Sequence, residues 1–128
     1  IIVFMDDDDY YPIDSLKIRV NKLIKKEVNC IYCSTIPCFD INKFISYINY
    51  PPIDLPDQKR VSEATITFRK SHWKKNKFSN NKKKQEGYDI ISDECLEINP
   101  ENITSVGVVA FGRDHSADIY IKEINFID

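Results

Sequence analysis

Five apolar residues in a row, Ile1 to Met5, open the chain and predict a strand buried on both faces inside a sheet. Four aspartates follow, Asp6 to Asp9, and then Tyr10, Tyr11 and Pro12. A helix is expected from about Asp14 to Lys26, with Asp14 or Ser15 as its N-cap. Leu16, Val20, Leu23 and Ile24 recur at helical spacing and predict its buried face, with Lys17, Arg19, Lys22 and Lys25 mostly off it. The segment around Ile31 to Thr35 reads as a second strand, which completes an α/β unit.

Further along, Pro51, Pro52 and Pro56 punctuate a loop, and Ile53 to Lys59 is expected to be irregular. Val61 to Phe68 alternates, with Ala64, Ile66 and Phe68 on one side and Glu63, Thr65 and Thr67 on the other. Ser71 is placed to cap a short helix through Trp73 and Lys75. Another helix is expected from near Glu86 to about Ser92, and strands over Cys95 to Ile98 and Ser105 to Phe111. A polar turn, Gly112 to Ser116, follows the last of these.

Composition narrows the field. The chain has 128 residues, 42% of them apolar and 30% charged, which suits one globular domain. No apolar run approaches the roughly 18 residues of a membrane span, so no membrane segment is expected. A net charge of −2 argues against a dedicated nucleic-acid binder, and no nucleic-acid partner is expected. With only three glycines there is no glycine-rich phosphate cradle.

The four cysteines, Cys30, Cys33, Cys38 and Cys95, contain one C-x-x-C pair. A zinc site would need a second pair at similar spacing. A strand through Cys30 and Cys33 also sends the two thiols to opposite faces. Buried free thiols are favoured over a metal site and over disulfides, which fits a cytoplasmic or other reducing compartment.

The acidic turn is the most specific signal. Adjacent carboxylates repel, and the end of a buried strand is where α/β folds bind ligands. A hard divalent cation, Mn²⁺ or Mg²⁺, relieves that repulsion through oxygen ligands and bridges phosphate oxygens. The plain alternative is a solvated acidic turn. Phe4-Met5-Asp6-Asp7 matches the aromatic-x-Asp-Asp turn of reverse transcriptases, but an apolar return strand is missing. Phosphatases of the haloacid-dehalogenase type need Thr or Val where Tyr10 and Tyr11 stand.

The run Ile-Ile-Val-Phe-Met-Asp-Asp-Asp-Asp-Tyr-Tyr-Pro, with its apolar-striped helix, resembles the Asp-x-Asp segment of GT-A glycosyltransferases of the family-2 type. The resemblance implies a partial GT-A (Rossmann-like) mixed sheet flanked by helices. It implies a divalent cation, a nucleotide-sugar donor and an acceptor hydroxyl, with inversion at the anomeric carbon. In that alignment Asp6 and Asp8 form the Asp-x-Asp. Asp8 binds the metal, Asp6 lies near the donor ribose or metal, and Asp9 assists.

Glu86, before Gly87 at an expected helix start, resembles the element that supplies the general base, although the family's Glu-Asp reads Glu-Gly here. A favourable charge against the helix dipole is its equal alternative. His115 stands where several GT-A enzymes place a further metal ligand, with Arg113 and Asp114 near enough in sequence to meet diphosphate or acceptor. A solvated turn histidine is its competing reading. Lys74 to Gln85 holds six lysines and three asparagines and reads as a solvated loop or a basic flap over the diphosphate. His72 and Trp73 carry little signal beyond packing.

An internal buried strand is an awkward place to start a fold. The expectation is therefore a single domain over 1–128, the C-terminal part of a glycosyltransferase catalytic domain. The competing reading is a noncatalytic interaction or structural protein derived from such a half, with a polymerase-like palm fragment third.

Overall fold

The computed structural model describes residues 1–50, 54–77 and 89–98, and the backbone of 107–109. These residues form a mixed α/β fold with two sheets. The first has the order β1-β5-β2-β6, comprising Ile2–Val3, Thr67–Phe68, Cys30–Tyr32 and Cys95–Glu97. β5 runs antiparallel to both β1 and β2, while β2 and β6 are parallel. Three strands thus point one way and one is reversed. The mixed sheet flanked by helices is as expected. The second sheet has the order β4-β3-β7, with a hairpin of β3 (Ile36–Asp40) and β4 (Ile45–Asn49), and β7 (Gly107–Val109) parallel to β3.

The first strand is shorter and wetter than its sequence predicts. Only Ile2 and Val3 pair with β5 by strand register, and the Phe4 N–H extends the pairing to the Ile66 carbonyl at 2.9 Å. Ile1 and Met5 are exposed. Among the described residues β1 ends the sheet order, so one of its edges lacks the neighbour a fully buried strand would have.

Helix α1 spans Ser15–Lys25, close to its expected bounds, but its buried face is turned: Leu23 is buried as expected, together with Ser15 and Arg19. Ser15, Arg19 and Leu23 point inward, while Leu16 and Ile24 are half exposed. Spacing of four residues defines this stripe as well as it defines the apolar one. What selects it is the sheet beneath: Arg19 finds three hydrogen-bond acceptors there, and Leu23 packs on Ile31, Cys33 and Ile98. Burying Leu23 fully contributes about 2 kcal/mol.

The opposite face of the sheet carries the larger core. Cys30, Tyr32, Ile66, Phe68, Ile90 and Ile91 are buried there, and Ile2, Phe4, Trp73 and Cys95 pack against them. Phe68 is its centre, stacked on Trp73 with ring centroids 6.1 Å apart and tilted against Phe4 at 5.7 Å. Trp73 belongs to α3, Lys70–Lys75, which starts one residue before Ser71 with Arg69 at its N-cap. Cys30 and Cys33 fall into different cores, as expected, with Cys33 one residue past the end of β2.

Two segments depart from expectation. Asp57–Arg60 is a short helix, α2, rather than irregular chain, with Arg60 paired to Asp57 and reaching Glu97 at 3.2 Å. Within Val61 to Phe68 only Thr67 and Phe68 are strand, because Glu63–Thr65 forms a 3₁₀ turn. That turn buries Thr65, whose hydroxyl bonds both the N–H and the carbonyl of Cys33, at 2.8 and 3.0 Å. Of the helix expected over Glu86 to Ser92, Asp89 to Ser92 are described: Asp89 is in a 3₁₀ turn, and Ile90, Ile91 and Ser92 are not helical.

Candidate functional site

Asp6 to Asp9 lie just beyond β1, with Asp7 and Asp8 forming a turn. Asp6, Asp7 and Asp8 are exposed and Asp9 is half buried. The turn is closed from its far side: the Asp6 N–H donates to the phenol oxygen of Tyr11 at 2.6 Å. Burial raises the pKa of Tyr11, and the Asp9 and Asp6 charges push it the same way, against the opposing effect of that hydrogen bond. The Pro12 carbonyl then accepts from Ser15 N–H at 2.8 Å, which starts α1. The acidic turn is thus held between a paired strand and a helix.

Arg19 secures the base of this arrangement. Its Nη2 donates to the Phe4 carbonyl at 2.7 Å and to the Ile66 carbonyl at 2.8 Å, and its Nε donates to Thr67 Oγ1 at 2.9 Å. One side chain therefore ties α1 to the last bonded residue of β1 and to the chain entering β5. The residue is completely buried, and that burial pulls the guanidinium down to about 10. Its Nη1 has no partner among the described residues. Nothing in the sequence marked Arg19 as different from the neighbouring lysines.

Among the described residues, no three carboxylates of the turn bring ligand oxygens within 4.8 Å of one another. This does not disqualify a magnesium or manganese site. Such ions are commonly held by one or two carboxylates, with phosphate oxygens and water completing the shell. Asp6 and Asp8 are the exposed pair such an ion could use. Glu86, Arg113 and His115 lie outside the described residues, so the turn is the part of the expected site that has a described geometry.

A second cluster lies in the core, on the other side of the sheet from α1. Cys30 and Cys95 are register partners on the parallel strands β2 and β6, and His72 reaches them from α3. One ligand atom from each lies within 4.8 Å of the others. His72 Nε2 is 3.6 Å from Cys95 Sγ and 2.7 Å from the Ile90 carbonyl oxygen. Cys30 and His72 are buried and Cys95 is half buried. The two neighbouring sulfurs shift one another: the pKa of Cys95 is lowered, and that of Cys30 is pushed up by Cys95 and by burial. Sequence spacing could not have found this group, since its members are far apart along the chain.

No protein-family model matches the chain, and no curated protein matches it significantly. Fold and site therefore define a class by themselves: a mixed α/β protein with an acidic turn at the carboxyl end of a strand. No helix among the described residues is long and apolar enough to cross a membrane.

Proposed function

We propose that the chain carries the metal-binding part of a glycosyltransferase that moves a sugar from a nucleotide donor to an acceptor hydroxyl. The observation that carries this reading is the placement of Asp6 and Asp8. They stand exposed beyond a sheet strand, on a turn braced by Tyr11 and followed directly by a helix. The mixed sheet, with one strand reversed, supports the same fold class as the resemblance of the Asp-x-Asp segment.

In the proposed reaction a carboxylate takes the acceptor hydroxyl proton as the oxygen attacks the anomeric carbon. The bond from that carbon to the diphosphate oxygen breaks, and its electron pair leaves with the nucleoside diphosphate. A bound divalent cation offsets the charge developing on that leaving group. Asp6 and Asp8 hold the cation, and Glu86 is the assigned base. Arg113 and His115 are assigned to the diphosphate and to the metal.

Titration of the purified protein with Mn²⁺, with and without a nucleoside diphosphate, tests the reading. Binding should tighten when the diphosphate is present and should be lost in Asp8→Asn. Absence of Mn²⁺ binding, or binding unchanged by the substitution, would overturn it. Metal-dependent hydrolysis of sugar nucleotides, lost in Glu86→Gln, would extend it to catalysis.

A second reading, an interaction protein without catalysis, has the β3–β4 hairpin in its favour. Phe44 is 80% exposed, and Ile45 and Ile48 are exposed on opposite faces of β4, with Tyr50 exposed just past its end. Apolar side chains exposed along an edge hairpin suit a partner surface. A protein that binds neither Mn²⁺ nor a nucleoside diphosphate would favour this alternative.

A further inference from the structure

The Cys30, His72 and Cys95 cluster belongs to no part of the proposed transfer reaction. We propose that these three side chains form a binding site for a single thiophilic cation of the zinc(II) class, joining β2, β6 and α3 inside the core. The inference is independent of the acidic turn, which offers hard oxygen ligands on a different part of the molecule.

Ligand type comes first. Two sulfurs and one imidazole are a donor set that selects zinc over magnesium or manganese, which prefer oxygen. Spacing comes second. Tetrahedral zinc with bonds of about 2.3 Å to sulfur and about 2.05 Å to nitrogen places those two ligands about 3.6 Å apart. His72 Nε2 and Cys95 Sγ are 3.6 Å apart, and the Cys30 sulfur lies inside the same 4.8 Å group.

The surroundings of His72 add a third argument. Both the Ile90 carbonyl oxygen, at 2.7 Å, and Cys95 Sγ gather around Nε2. The proton on that nitrogen occupies the place where a cation would sit. Replacing it by the cation moves the ring proton to Nδ1 and requires the Ile90 carbonyl, 2.7 Å from Nε2, to swing aside from the line the ion would take. Asn76 Nδ2 lies 3.4 Å from both Nδ1 and Nε2, over the ring edge between them, and so favours neither tautomer.

Charge balance closes the argument. Two thiolates neutralise a divalent ion, which removes most of the cost of burying it among Phe68, Ile90 and Ile91. Binding releases to solvent the thiol protons that Cys30 and Cys95 still carry, while the histidine proton shifts within the ring and no electron is transferred. The half-exposed Cys95 provides the route of entry.

The test is optical titration of the reduced, metal-free protein with Co²⁺, followed by displacement with Zn²⁺. The expected result is one Co²⁺ per chain, with thiolate-to-cobalt charge-transfer absorption that Zn²⁺ abolishes. Cys33→Ser/Cys38→Ser, which leaves Cys30 and Cys95 as the remaining thiols, should keep the signal. Cys95→Ser should weaken Co²⁺ binding by at least about tenfold. Lack of charge-transfer absorption in the unaltered protein would overturn the proposal, as would its loss in Cys33→Ser/Cys38→Ser. Should Cys95→Ser fail to fold, those two measurements still decide. Asp8→Asn, which removes an acidic-turn ligand, should leave the thiolate signal unchanged, so this result and the Mn²⁺ result can fail separately.

Discussion

Arg19 on helix α1 donates through Nε to the hydroxyl oxygen of Thr67 on β5, at 2.9 Å and out of contact with solvent. Its Nη2 serves two main-chain carbonyls from the adjoining segments, so the charge is spread over three neutral acceptors. Hydrogen bonds to a charged group are stronger than neutral ones, contributing about 1.5–3 kcal/mol each. Removing the side chain takes the Arg19 donor from the Phe4 carbonyl and from Thr67 Oγ1, while the Ile66 carbonyl keeps the Phe4 N–H at 2.9 Å. Arg19→Met should therefore lower unfolding stability by about 3 kcal/mol, measured by urea denaturation. Arg19→Lys should recover little, because a single ammonium cannot span the three acceptors.

Thr67→Val keeps the shape of the side chain but leaves Nε facing a methyl group. The expected loss is about 1–3 kcal/mol, from an unsatisfied buried donor. A double-mutant cycle with Arg19→Met should give a clear coupling energy. Additive effects would mean that the Arg19–Thr67 bond contributes little.

Glu27 follows the C-cap of α1 with φ of 54°, in the left-handed region that disfavours a Cβ. Its N–H caps the Ile24 carbonyl at 3.1 Å, so the conformation closes the helix. Glu27→Gly should relieve the strain and raise stability by about 0.5–1 kcal/mol, read as a higher urea midpoint with an unchanged slope.

Tyr11→Phe removes the acceptor of the Asp6 N–H without altering a carboxylate. The turn loses its brace, and Mn²⁺ affinity should fall by about tenfold, the lower end of what indirect metal-site substitutions cost. Unchanged affinity would separate Tyr11 from the site.

Alkaline pH should weaken the fold in a stated direction. Burial raises the phenol pKa of both Tyr11 and Tyr32 above the ordinary value of 10. A raised folded-state value means that the native protein holds these protons longer than the unfolded chain. The associated stability is complete below about pH 10 and is lost as pH rises through the folded values. Phenolate absorbance should accordingly develop at higher pH in the native protein than in urea, and Tyr32→Phe should narrow the gap.

Much of this protein's local structure is legible in its sequence. The bounds of α1 and the acidic turn after an apolar strand follow from short-range patterns, and the strand expected around Ile31 to Thr35 forms, but over Cys30–Tyr32. The expected separation of Cys30 from Cys33 also holds, although Cys33 lies one residue past the end of β2. Tertiary structure decided the rest. Periodicity offered α1 an apolar stripe, yet the helix buries Arg19, because only the folded sheet brings the Phe4 and Ile66 carbonyls and the Thr67 hydroxyl to one place. The Cys30, His72 and Cys95 cluster likewise depends on the pairing of β2 with β6 and on where α3 docks. Those are contacts between segments distant in sequence, and their energies are absent from any local window of the chain.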